Sequence, residues 1–139
     1  MASELDPAFE TLTQKAAGRI VISVDAMGGD HGPATVVAGL AVSAAALPDI
    51  DFVLHGNEAE LAPLLARRPT LKGRVTVVHA EGIVRMEDKP SQVLRTGSNT
   101  SMWSTIESVR EGKAQAAVSC GNTGALMAVS MIRLRKLPG

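Results

Sequence analysis

Aromatic side chains are nearly absent from this chain: two Phe, one Trp and no Tyr among 139 residues. Its core must therefore be built from Val, Ala, Leu, Ile and Met. With 45% hydrophobic residues, there are enough of them to expect a folded domain rather than a disordered one. Cysteine is equally scarce. The single Cys120 excludes an intramolecular disulfide and any multi-cysteine metal site, and it fits a reducing compartment. Net charge is missing too, since fourteen basic and fourteen acidic residues cancel. No net field draws the chain to nucleic acid or to an anionic membrane. The longest nearly apolar run, residues 36–47, is too short to span a bilayer. The first eighteen residues carry Glu4, Asp6 and Glu10 and lack the apolar centre of a signal peptide. They read as a polar leader, with a turn or two of helix around Phe9 and Leu12. A cytoplasmic protein with one core is the default expectation.

From Arg19 onward, short β-branched runs alternate with helical stretches. Residues 19–25 read as a strand buried on both faces, followed by a glycine-rich loop and a helix that Pro33 opens and that runs to about Leu47. Residues 51–56 form a second strand, and a helix with Leu61, Leu64 and Leu65 on one face comes next. Residues 74–79 form a third strand. After a loop and a short turn at residues 90–95, Met102, Ile106 and Val109 mark an amphipathic helix that Gly112 ends. Residues 114–120 form a fourth strand, and a helix from Thr123 to Lys136 closes the pattern, with Met127 and Met131 on its core face. Alternation of this kind indicates an α/β fold, a parallel sheet with right-handed crossovers and helices on both faces. All loops after the strands' carboxyl ends then lie along one edge, where ligands bind. Three loops should meet there: residues 25–33, 80–90 and 121–124.

The first loop, Asp25-Ala-Met-Gly-Gly-Asp-His-Gly-Pro33, lets a ligand approach the backbone at Gly28 and Gly29, flanked by the carboxylates Asp25 and Asp30. A tight turn capped by aspartates is the simpler alternative. It lacks the G-x-G-x-x-G spacing, and the second strand ends in His55-Gly56-Asn57 without a ribose-binding acid, which argues against a dinucleotide site. The loop Ser119-Cys-Gly-Asn-Thr-Gly-Ala125 precedes a helix. Its free amides and the positive helix end suit an anion, although an ordinary helix start looks the same. The middle loop offers Arg85, Lys89 and Arg95, which taken singly read as a solvated charged segment. Cys120 sits where a thiol could be nucleophilic, but packing is the simpler role. His31 lies in the glycine loop and is positioned to touch a ligand. His55 and His79 read as structural, and the three histidines lack metal-ligand spacing. Arg133, Arg135 and Lys136 complement the last helix's dipole and need no partner.

Together these segments resemble the phosphate acyltransferases of bacterial phospholipid synthesis. Val24-Asp25-Ala-Met-Gly-Gly-Asp30-His-Gly-Pro33 is similar to that family's opening motif. Lys89-Pro90-Ser91, Arg95, Ser101-Met102, Glu111-Gly112-Lys113 and Ser119-Cys-Gly-Asn122-Thr-Gly124-Ala-Leu-Met127 follow in the family's order. The family more often has Ala at Cys120, which argues against a thiol nucleophile. Its members are longer, so residues 19–139 are expected to be the N-terminal portion of the family's α/β domain.

The resemblance implies a fold like that of the isocitrate and isopropylmalate dehydrogenases and of phosphotransacetylase. It implies transfer of a fatty acyl group from acyl carrier protein to inorganic phosphate with no metal or organic cofactor. It also implies a homodimer, a glycerol-phosphate acyltransferase acting next in the pathway, and a cytoplasmic enzyme whose contact with the membrane surface lies outside this chain. Phosphate is already an anionic nucleophile and a thiolate a good leaving group, so the site must chiefly bind, orient and stabilise an oxyanion. Lys89, Arg95 and Asn122 are the candidate catalytic donors. Asp25, Gly28, Gly29, Asp30, Ser119, Gly121, Thr123 and Gly124 are the candidate phosphate-binding and orienting residues. The alternatives are an acyl or acetyl phosphotransferase acting on coenzyme A thioesters, and a non-catalytic partner-binding fragment.

Overall fold

A computed structural model describes residues 18–135. The expected helix around Phe9 and Leu12 lies outside the described residues, whereas the last helix, expected to run to Lys136, ends at Arg133 with Leu134 as its C-cap. Four parallel strands, β1 (Ile20–Asp25), β2 (Ile50–Gly56), β3 (Val75–His79) and β4 (Ala116–Val118), form one sheet in the order β3-β2-β1-β4. Helices α1 (Gly32–Ala46), α2 (Glu58–Ala66), α3 (Pro90–Thr96), α4 (Ser101–Arg110) and α5 (Thr123–Arg133) connect and cover them. β1 pairs with β2 from Ile20↔Ile50 to Asp25↔His55, and with β4 over Ile22↔Ala116 to Val24↔Val118.

Alternation along the strands sorts the core into two layers. Val24, Phe52 and Leu54 face α1 and α2, where they pack with Val37, Leu40, Ala44 and Leu61. Leu54 and Leu61 are fully buried, and each such side chain contributes roughly 1.5–3 kcal/mol over leaving it exposed. Val21 and Val53 face the other way with Ala114 and Val109. On that side α3, α4 and α5 share a cluster of Val93, Met102, Ile106, Ala125 and Val129. Helices therefore lie on both faces, as the strand–helix alternation predicted.

Polar anchors hold the layers in register. At the strands' starting edge the buried Asp51 accepts from Arg19 at 2.8 Å and from Arg74 at 3.3 Å. The Arg19 hydrogen bond holds its carboxyl below the usual range. Arg74 also donates to the carbonyls of Ala44 and Leu47, clamping the end of α1 to the sheet. Under α4, His55 is fully buried. It contacts Ser23 Oγ and Ser108 Oγ through Nε2 at 2.8 and 3.2 Å, and Ser104 Oγ through Nδ1 at 2.7 Å. Ser23 gives its own proton to the Thr105 carbonyl at 2.8 Å. Nε2 therefore donates to Ser23, and Nδ1 accepts from Ser104. Burial first, then the charge of Lys113, lowers the His55 pKa to about 4.

Several expectations need correction. Met127 and Met131 are 60% and 51% exposed, not core. Helix α5 turns Ala125 and Val129 inward instead, because that stripe faces α4. Arg133 does have partners: it pairs with Glu107 of α4, and its guanidinium lies 5.7 Å from the Trp103 ring centroid. β4 holds three residues rather than seven. Ile20 is 48% exposed, so β1 is not covered along its whole length.

Candidate active site

The chain leaves β1 toward α1 on one face and leaves β4 toward α5 on the other. Between these neighbouring strands the connections diverge, which opens a crevice at their carboxyl ends. The two glycine-rich loops meet there at backbone distance. A Cβ on Gly28 would lie 2.6 Å from Asp25 Oδ2, 2.9 Å from Ser119 Oγ and 3.0 Å from the Gly121 nitrogen. Gly29 has φ +99°, and a Cβ on it would stand 3.1 Å from Cys120. Only glycine satisfies both the conformation and the approach.

Asp25 is the knot of this junction. It is buried, and its Oδ1 accepts from the amides of Met27 (3.1 Å) and Gly28 (3.2 Å) and from Ser101 Oγ (2.6 Å). Oδ2 accepts from Ser119 Oγ at 2.8 Å, and Ser119 Oγ in turn accepts from the Gly121 amide at 3.1 Å. One carboxylate thus ties together the β1 loop, the first residue of α4 and the β4 loop. Three of these four bonds fall on Oδ1 and one on Oδ2, so most of the carboxylate's capacity serves protein donors. Ser101 was quoted in a motif but assigned no role; its hydroxyl is part of this junction.

Asn122 was expected to be a catalytic donor. Its side chain is engaged differently. Oδ1 accepts from the Ala125 amide at 3.1 Å and caps α5. Nδ2 donates to the carbonyls of Arg85 (3.1 Å), Met86 (3.3 Å) and Asp88 (2.8 Å). Asn122 is 8% exposed, and its two amide protons already serve three acceptors. It fastens the middle loop to the start of α5, and its donors are not available to an oxyanion in this arrangement.

The other candidates divide. The Gly121 amide is committed to Ser119. The amides of Thr123 and Gly124 have no backbone partner among the described residues, and they open α5 with the positive end of its dipole. A Cβ on Gly124 would lie 3.1 Å from Pro90 Cγ, so the start of α3 abuts the first turn of α5. Lys89, the exposed N-cap of α3, therefore stands near the first turn of α5. Arg95 lies in the last turn of α3, roughly 9 Å further along that helix than Lys89. Asp30 and His31 are exposed at the crevice mouth. Cys120 is an exposed free thiol rather than a packed one.

These features define an α/β domain with an anion-suited crevice at the switch point of a parallel sheet. Comparison with known proteins places it further. Residues 20–139 match the family model described as "Fatty acid synthesis protein", and the chain belongs to that family. It is 68% identical over 133 residues to a phosphate acyltransferase of Cereibacter sphaeroides (strain KD131 / KCTC 12085), covering 95% of this chain and 36% of that protein. It is 69% identical over 120 residues to a phosphate acyltransferase of Paracoccus denitrificans (strain Pd 1222), covering 86% and 32%. A phosphate acyltransferase of Ruegeria sp. (strain TM1040) is 68% identical over 127 residues, covering 91% and 34%. The chain thus spans about a third of the length of the curated relatives it matches.

Proposed function

We propose that the intact protein transfers a fatty acyl group from the thioester of acyl carrier protein to inorganic phosphate. A phosphate oxygen attacks the thioester carbonyl, the C–S bond breaks, and acyl phosphate and the carrier's thiolate are released. Phosphate supplies the nucleophile and the thiolate leaves readily, so no strong general base is required. The chain's own task is to position phosphate and stabilise the oxyanion. The observation that supports the reading most is the pair of uncommitted amides at Thr123 and Gly124. They follow the Gly121 contact with the β1 loop that Asp25 organises, and the start of α3, with Lys89 as its N-cap, abuts the same first turn at Gly124.

The same reading takes the full-length fold to be like that of the isocitrate and isopropylmalate dehydrogenases, and the enzyme to be a cytoplasmic homodimer working at the membrane surface. Its acyl phosphate would supply a glycerol-phosphate acyltransferase. The intact protein should convert acyl carrier protein thioester to an acyl phosphate, trapped with hydroxylamine, only when phosphate is present. Faster turnover with coenzyme A thioesters would change the carrier. Product formation indifferent to phosphate would overturn the proposal.

A further inference from the structure

Directly beside Asp25 stands a buried polar group that the acyl-transfer chemistry does not use. His55 is the register partner of Asp25 across β1 and β2. Its carbonyl accepts from the Ala26 amide at 2.9 Å, where the β1 loop begins. Partnered residues of a parallel pair point to the same face, and so does Ser23, two residues before Asp25. Ser23, Asp25 and His55 therefore form one buried polar row on the face that α4 covers.

The underside of α4 answers that row residue by residue. Ser101 donates to Asp25, Ser104 donates to His55 Nδ1, and the Thr105 carbonyl accepts from Ser23. Ser108 Oγ lies 3.2 Å from His55 Nε2. The large buried side chains of the helix, Met102 and Ile106, join the cluster shared with α3 and α5 instead. Above this row α4 is thus seated on hydroxyls rather than on apolar surface. Apolar contact is non-directional and tolerates a small slide, whereas hydrogen bonds weaken steeply once misaligned. Among the described residues no buried side-chain nitrogen or oxygen lacks a partner, so every group of the row is satisfied in this seat. Ser101 and Ser104 are three positions apart and share one face of the helix. Holding Ser104 against the imidazole fixes where Ser101 falls against the carboxylate.

We propose that His55 is a positioning residue of the phosphate site, acting through α4 to set the seat from which Ser101 holds Asp25. Asp25 in turn holds Ser119, and Ser119 holds the Gly121 amide at the entry to α5. The inference rests on the acyl-transfer reading and deepens it. The path from His55 to the β4 loop is made of hydrogen bonds between this chain's own residues and the helix that carries two of them. A histidine that only supported the fold would affect stability and leave the dependence on phosphate alone.

The test is a double-mutant cycle in the full-length protein, with phosphate-saturation kinetics and thermal unfolding measured together. His55→Leu fills the space without hydrogen bonds, Ser101→Ala cuts the tie to Asp25, and a third variant carries both changes. Each single change should raise the KM for phosphate roughly three- to tenfold, the equivalent of one ordinary hydrogen bond, with kcat changed far less. The double variant should be no worse than the more affected single, because both changes cut the same path. His55→Gln keeps a donor and an acceptor and should recover most of the loss. Leu61→Ala, in the opposite core layer, is the stability control and should lower Tm at an unchanged phosphate KM. A folded His55→Leu protein with wild-type phosphate KM would make His55 a fold residue only and overturn the inference. So would KM increases that multiply in the double variant, or an equal increase in Leu61→Ala. If His55→Leu does not fold, Ser104→Ala takes its place in the cycle with the same expectations, since it severs the imidazole from α4. Any of these failures leaves the acyl-transfer reading standing when the wild type turns over. A wild-type protein that forms no acyl phosphate would remove that reading and this inference together.

Discussion

Removing the acceptor at Asp25 should disorganise the crevice more than any other single change of similar size. Four donors converge on its carboxylate: two backbone amides, Ser101 and Ser119. A hydrogen bond to a charged group contributes about 1.5–3 kcal/mol, and a buried donor left without an acceptor costs about 1–3 kcal/mol. Water and side-chain rotation will recover part of this for the two hydroxyls, so the full sum will not appear. Asp25→Ala should therefore cost about 3–5 kcal/mol of stability. Asp25→Asn keeps the shape and three neutral acceptor contacts, but presents an NH2 group toward Ser119. It should cost about 2 kcal/mol, with the strain concentrated where Ser119 holds the Gly121 amide. Urea unfolding of the full-length protein gives the stability, and acyl phosphate formation against phosphate concentration gives the kinetics. Asn should fold and yet show a raised KM for phosphate, because the β4 loop is no longer held against Gly28. A fully stable Asp25→Ala protein with normal phosphate dependence would refute the claim that this carboxylate organises the site.

Other predictions concern single residues. Cys120→Ala should retain most activity, since the proposed nucleophile is phosphate; a loss of roughly a hundredfold or more with intact folding would place the thiol in catalysis. Lys89→Ala should raise the KM for phosphate at low salt and matter less at high salt, because screening acts on an exposed charge; a salt-independent effect would count against a phosphate contact. The His55 pKa is lowered to about 4 in the folded state, while an unfolded histidine titrates near 6.5. The unfolded chain thus binds the proton first, and stability falls as pH drops below about 6.5, by about 3 kcal/mol on reaching pH 4. Urea midpoints of wild type and His55→Gln followed from pH 7.5 to pH 4 should converge or cross, and parallel curves would contradict the buried neutral histidine.

The strands and helices were legible in the sequence because β-branched runs and helical periodicity are local signals. β4 was read too long at both ends, at residues 114–115 and 119–120; Ser119 leaves the ladder to meet Asp25, and a long-range contact of that kind leaves no local trace. The two stripes of α5, one of Ala125 and Val129 and one of Met127 and Met131, have the same spacing. The larger side chains suggested the wrong one, and only the position of α4 decides between them. Asn122 was read as a catalytic donor, but its Oδ1 caps α5 and its Nδ2 partners are backbone carbonyls 34 to 37 residues upstream. The serines around His55 did leave a signal. Ser104 and Ser108, with Ser101 that reaches Asp25, recur at helical spacing along α4, a polar stripe on a helix whose neighbouring stripe is apolar. Such a stripe marks a buried polar cluster when the facing strand offers a histidine.

The central claim is that phosphate is held by the free amides that open α5. Thr123→Pro tests it most directly. Proline at the first helical position fits the helix and deletes one amide without adding bulk to the core, and the preceding Asn122 already has an extended ψ of 110°. Thr123→Ala is the control, because it removes the hydroxyl and keeps the amide. Phosphate-saturation kinetics of the two full-length variants should show a KM for phosphate roughly ten- to a hundredfold higher for Pro than for Ala, the equivalent of one charge-assisted hydrogen bond of about 1.5–3 kcal/mol. Equal phosphate KM values in two folded variants would mean that this helix start is only a cap and that phosphate binds elsewhere.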